Sequence, residues 1–251
     1  MAAWTPPYAS LSPFAPSAPQ PLARALFGFV GDSAVLAAIT VIGLVCSLTV
    51  LRWSGLQPQQ QPLLIMSATF AAMMLAAWPL WRRLSRSGHV SEVPTLQAVR
   101  IGALTGLLAF AFSIGKRLVE LQLFGVMPDA SNIAPVMAAL SSQLPFALLL
   151  FVVLAPWAEE LTTRRVLLGR MQARGWPRLG LLLSASLFAW LHEPMPRDDL
   201  SWGKWLWLLS GYWALGLLFA WAYLRTRSLA AAFTAHAVNN ALAIGLLLLR
   251  G

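Results

Sequence analysis

Charge is what this sequence has least of. Of its 251 residues 11% are charged and 58% are hydrophobic, whereas a soluble domain carries roughly 25% charged residues. A soluble fold of this length needs more polar surface than that to cover its core. The charges are also clustered, leaving long runs with none, so the expected solvent is a bilayer. Cysteine is scarcer still: Cys46 stands alone. That excludes an internal disulfide, and within its apolar run Cys46 reads as a small core residue. The net charge of +9 would point to nucleic acid in a soluble protein. Here the arginines sit mostly at the ends of apolar segments, so topology accounts for them and no nucleic-acid partner is expected. The N-terminus lacks the early positive charge and continuous apolar stretch of a secretory signal. Residues 1–23 hold six prolines and read as part of a disordered tail. No internal repeat is present.

Seven apolar segments are visible, over about Ser33–Leu51, Pro62–Trp81, Ala98–Ile114, Ala134–Trp157, Leu179–His192, Trp205–Tyr223 and Leu229–Leu249. The fourth continues into a polar helical stretch ending near Arg174. A spanning helix needs roughly 20 apolar residues, so the third and fifth are short. The expected fold is all-α, a polytopic transmembrane bundle of about seven spanning helices, within a range of about six to eight. With the N-terminus in the cytoplasm and the segments alternating, 12 of the 18 basic residues fall on the cytoplasmic side. Arg82, Arg83, Arg164, Arg165, Arg225 and Arg227 are among them; Lys116 and Arg117 fall on the other side. This bias favours the N-terminus inside.

Ionisable groups within a membrane segment cost about 2.5–3.5 kcal/mol each on insertion scales and so point to function. Three clusters qualify. The first is Glu159-Glu160-Leu161-Thr162-Thr163-Arg164. On a helix Glu160 and Arg164 share a face and can pair, while Glu159 points about 100° away, free to meet another helix. Two adjacent carboxylates beside one arginine form a coupled acid–base set, which suits a general base. The plainer explanation is a pair at a membrane interface among loop arginines. The second cluster is Phe188 to His192, closing the fifth segment; a lone histidine there is more often structural. The third is His236-Ala237-Val238-Asn239-Asn240. His236 and Asn240 share a face and Asn239 points elsewhere. Interhelical hydrogen bonding alone would also account for this third cluster.

Depth connects the first two. Gly175-Trp176-Pro177-Arg178 reads as a hairpin turn. Glu159 and His192 both lie roughly 20–25 Å from it along their helices. Pro156 can kink the fourth helix just before the glutamates. The last helix begins near Ser228, putting His236 about 12 Å and Asn240 about 18 Å in.

In this order the three clusters resemble the CPBP (Abi) family of membrane proteases, which includes the type II CAAX prenyl endopeptidases. The family pattern is Glu-Glu-x-x-x-Arg, Phe-x-x-x-His and His-x-x-x-Asn, and all three match. Gly216 to Ser228, GLLFAWAYLRTRS, also looks like the family's approach to its last motif. The resemblance covers roughly residues 140–248. It implies roles for particular residues: Glu159 as the base that activates water, His192 as its partner, His236 and Asn240 as oxyanion stabilisers, and Glu160 with Arg164 as support. The expected division of the chain is a disordered Pro/Ala-rich tail over 1–30, N-terminal transmembrane helices over 31–130, and a CAAX-protease-like catalytic transmembrane domain over 131–251. Two departures stand out. Thr162 and Thr163 replace bulkier residues, and Arg165 replaces a glycine.

The metal question stays open at this level. The family is often labelled metalloprotease, and Glu159, His192 and His236 are a plausible zinc set. A metal-free Glu/His site is equally compatible, and there is no His-Glu-x-x-His motif. The expected function is an intramembrane endopeptidase acting on a membrane-inserted or lipidated protein or peptide, prenylated or not. It would work among lipids in a bacterial inner membrane or its equivalent. The alternative is a non-catalytic scaffold or bacteriocin-immunity-type protein. A proton-coupled transporter using Glu159 and Glu160 is a third reading, against which the lack of inverted repeats counts mildly.

Overall fold

The computed structural model describes residues 19–55, 61–86, 93–126 and 129–250; the proline-rich stretch up to residue 18 lies outside them. Eight helices are present among the described residues: α1 Leu22–Ser54, α2 Gln61–Arg86, α3 Thr95–Phe124, α4 Ile133–Ser142, α5 Leu144–Ala173, α6 Pro177–His192, α7 Trp202–Thr226 and α8 Leu229–Arg250. The fold is a polytopic helical bundle. Six helices (α1, α2, α3, α5, α7 and α8) are long and apolar enough to cross a membrane. The fifth predicted segment became the 16-residue α6. At 1.5 Å per residue it is about 24 Å long, short of the hydrocarbon thickness.

Several boundaries differ from expectation for identifiable reasons. Helix α1 starts at Leu22, so residues 22–30, assigned to the tail, are helical. Ala25 and Phe29 lie four apart and are both buried in one apolar cluster, which gives this stretch a packing face. Asp32 ties it down further: its Oδ2 meets Arg170 Nε on α5 at 2.7 Å and Nη2 of Arg174, just past the end of α5, at 3.1 Å. The fourth segment breaks at Gln143 (φ −151°). Pro145 follows in the first turn of α5 and has no N–H with which to continue α4. Helix α3 runs ten residues past Ile114, its expected end, to Phe124. Lys116 and Arg117, read as loop residues, therefore lie within it. Cys46 is exposed rather than in the core, because α1 is packed along one side and turns the rest outward.

The contact that places the last motif is between α3 and α8. The sequence Gly102-Ala103-Leu104-Thr105-Gly106 puts two glycines four apart. A methyl group on Gly102 would stand 2.4 Å from the Ala231 carbonyl oxygen, and one on Gly106 would stand 2.6 Å from that of Ala235. Small residues let two backbones approach in a membrane, where packing rather than water drives association. Ala235 precedes His236, so this contact fixes that histidine's height. Gly106→Leu should wedge the helices apart and cost about 1–3 kcal/mol or more, read as a lower unfolding temperature in detergent. Gly115→Leu is the control, because nothing lies within 4 Å of a side chain there. Equal stability of the two variants would contradict the packing role.

Candidate active site

Helix α5 carries the glutamates and is not regular. Leu150–Leu154 and Leu161–Leu168 are π-helical, and the ordinary α-helical turn Ala155–Glu160 lies between them. Such wide turns gather at functional sites. In the first, the Ala155 N–H reaches back to the Leu150 carbonyl. The next donor in that ladder would be Pro156, which has no N–H. The Phe151 carbonyl is thus left over, and Asn240 Nδ2 on α8 donates to it at 3.1 Å. In the second, Thr162 and Thr163 donate their hydroxyls to the carbonyls of Ala158 (2.8 Å) and Glu159 (2.6 Å). Threonine hydroxyls bonded four residues back bend and loosen helices. The two threonines that depart from the family pattern therefore serve the widened turn.

Glu160 and Arg164 are fully buried, with Oε2 and Nε 3.1 Å apart. Both are shielded from solvent by the protein itself, unlike charges in a solvated loop. The Glu160 carboxylate also accepts from His236 Nδ1 at 3.0 Å. Arg164 lies over the Phe188 ring, 5.2 Å from its centroid, and Phe219 stacks on His236 at 4.7 Å. A buried carboxylate thus faces an arginine on one side and an imidazole on the other, and the Glu160 contact aims His236 Nε2 into the site.

Glu159 points the other way, as the helical spacing predicts. Its Oε2 is buried and receives no hydrogen bond from the protein. It faces His192 Nε2 at 3.8 Å and His236 Nε2 at 4.0 Å. His192 Nδ1 lies 2.8 Å from the Phe188 carbonyl. Only a donor can satisfy a carbonyl, so Nδ1 carries the proton and Nε2 of the neutral ring is an acceptor. Two acceptors, Glu159 Oε2 and His192 Nε2, therefore face each other across a gap that one water molecule can bridge.

The structure brings five of the six predicted site residues together. Glu159, His192 and His236 converge, and Glu160 with Arg164 supports them. Asn240 lines the same cavity, but its amide is held by Phe151 and by Asn239, whose Nδ2 donates to Asn240 Oδ1 at 3.2 Å. Asn239, expected to point elsewhere, also lines the cavity. The cavity has a volume of about 930 Å³ and is walled mainly by apolar side chains, within the size range of small-molecule sites.

Sequence reasoning missed the residues that hold His192. Tyr212 on α7 stacks on its ring at 4.5 Å and donates its hydroxyl to Asn132 Oδ1 at 2.9 Å. Glu193 is fully buried. Its carboxylate accepts from the Ser131 N–H at 2.7 Å, and the Ser131 hydroxyl donates to the His192 carbonyl at 2.6 Å. The loop before α4 is thereby latched to the end of α6. A carboxylate beside the motif histidine was the available signal.

As they stand, Glu159, His192 and His236 are spread wider than a bound zinc ion would hold them. A tetrahedral zinc ion bound at about 2.0–2.1 Å holds its ligand atoms roughly 3.3 Å apart. The separations at Glu159 exceed that, and among the described residues no group of three or more His, Cys, Asp or Glu is placed to hold a metal ion.

Residues 141–242 match the family model described as type II CAAX prenyl endopeptidase Rce1-like. Over this stretch the chain is similar to that family. Every site residue named above from the three motifs lies inside the match, while α1, α2 and α3 lie outside it. Comparison with curated proteins and with solved structures found no match.

Proposed function

We propose that the protein is an intramembrane endopeptidase that hydrolyses a peptide bond with a water activated by Glu159 and His192. The observation that carries this is the buried Glu159 Oε2, unpaired within the protein and facing the acceptor Nε2 of His192 across 3.8 Å. A water held there gives one hydrogen to each. Glu159 takes one proton as the water oxygen attacks the peptide carbonyl. His236, held through Nδ1 on Glu160, donates from a protonated Nε2 to the developing oxyanion. The proton on Glu159 then passes to the departing amide nitrogen, leaving a carboxylic acid and an amine. Asn240 contributes by holding α8 against the widened turn of α5. No step is routed through a metal.

The cavity's apolar walls suit a membrane-inserted or lipidated peptide, with a prenyl group as one candidate lipid. A bacterial inner membrane or equivalent, with the N-terminus in the cytoplasm, is the setting proposed.

Purified protein assayed on lipidated peptides tests both the reaction and the metal. His192→Ala is expected to lower kcat by about 10²–10⁴-fold, the usual worth of an acid–base partner. Cleavage should persist within about twofold in 1,10-phenanthroline, because no ligand set needs stripping. Loss of activity in the chelator, restored by zinc, would reject the metal-free mechanism. An unaffected His192→Ala enzyme would reject His192 as the partner.

A further inference from the structure

The cavity that contains Glu159 also contains a cation for which the proposed chemistry has no use. Lys116 lies inside α3, eight residues before its end, and lines the cavity wall. Its neighbours account for their own charges without it. Arg117 pairs with Glu120 one turn on, and the second Glu120 oxygen accepts from Trp207 Nε1 at 3.1 Å. Lys116 Nζ instead sits over the Trp207 ring, 4.2 Å from its centroid. Among the described residues it has no carboxylate within ion-pair distance.

The stem of Lys116 runs across Gly211 on α7. A methyl group on Gly211 would stand 3.0 Å from Cε and 3.2 Å from Cδ, so the glycine leaves the track along which the side chain lies. The next residue is Tyr212, which stacks on His192. The Lys116 side chain therefore rests against the same stretch of α7 that stacks on His192. Glu120, four residues on, lies near enough to act on the Lys116 charge but makes no ion pair with it, and a cation without a direct acidic contact in an apolar helix is a candidate ligand contact. The aromatic ring beneath it accounts for part of its stabilisation and leaves its hydrogens free for an acceptor.

We infer that Lys116 binds an anionic oxygen group of the cavity's occupant. The inference rests on the hydrolytic reading, because it assigns a second contact to the same substrate. A lysine presents a compact point charge with three donors, which suits a carboxylate or a phosphate. Two sources carry that chemistry, a peptide C-terminus and a lipid headgroup.

The test reads binding rather than cleavage. Purified Glu159→Gln protein in uncharged detergent is titrated calorimetrically with three probes: N-dodecanoyl tetra-alanine as the free acid, the same peptide as its C-terminal amide, and dodecyl phosphate. The free acid is expected to bind about tenfold more tightly than the amide, the worth of one charge-assisted hydrogen bond. Adding Lys116→Met should erase the difference, and Lys116→Arg should keep most of it. Tight, Lys116-dependent binding of dodecyl phosphate with no acid–amide difference would assign the site to a lipid headgroup. Equal binding of all three probes, or an anion preference that persists in Lys116→Met, would overturn the inference. Neither result depends on turnover, so failure here leaves water activation untouched, and an inactive wild-type enzyme leaves this site tested.

Discussion

Glu159→Gln should abolish peptide cleavage, with kcat falling by about 10³-fold or more, inside the range of general-base effects, while the protein inserts and folds as before. The amide has the volume of the carboxylate but cannot take a proton from water. Stability should not fall, because Oε2 receives no hydrogen bond from the protein. Removing a buried carboxylate that lacks a donor is neutral or favourable for folding. The expected signature is therefore divergent: activity lost, and unfolding temperature unchanged or raised. That divergence separates an enzyme from a scaffold, because a scaffold retains its function when Glu159 becomes Gln. Full cleavage by this variant would show that the water is activated elsewhere. Loss of activity together with loss of the folded state would show that Glu159 is structural.

Arg164→Met should act in the opposite sense, on the fold first. Both members of the Glu160–Arg164 pair are fully buried, and removing one partner of such a pair typically costs about 3–5 kcal/mol because a charge is left uncompensated. Unfolding in detergent should shift accordingly, and activity should fall with it. The double change Glu160→Met with Arg164→Met should recover much of the stability, since two apolar side chains can replace a buried pair at little cost. It should still be inactive, because His236 loses the carboxylate that orients its ring. A single Arg164→Met variant as stable as the parent would mean that Glu160 is not buried as a charge.

The constellation at the candidate site was legible because intramembrane charges are rare enough to be noticed singly. Glu159, Glu160, Arg164, His192 and His236 each interrupt apolar sequence, and the Gly175 turn at φ +87° folds α5 and α6 back so that Glu159 meets His192. What was hidden has a common physical origin. Hydrophobicity separates lipid from water but not lipid from protein interior, so Cys46 was assigned to a core it does not enter. Tyr212 and Phe219 look like ordinary membrane aromatics until the histidines beneath them are placed. The π turns could not be read from periodicity, since eight residues are too few to show a changed period. Pro156 was read as a kink, whereas its larger effect is the carbonyl it leaves for Asn240. The charges of Lys116 and Arg117 were visible, but the pairing of Arg117 with Glu120 that lets α3 continue past them was not. The glycines of α3 were equally visible, and only the partner helix gave them meaning.

The widened turns also limit how the length of α5 can vary. Each residue added to or lost from a regular helix rotates everything beyond it by about 100°. Leu161–Leu168 lies between the glutamates and the Asp32 anchor at Arg170 and Arg174. Deleting one residue there would return the turn to ordinary helical pitch and change the angle at which Glu159 meets the cavity wall relative to the end anchored at Arg170 and Arg174. Residue count in this helix is therefore part of the geometry of the candidate site, and a residue that would look dispensable by composition helps set it.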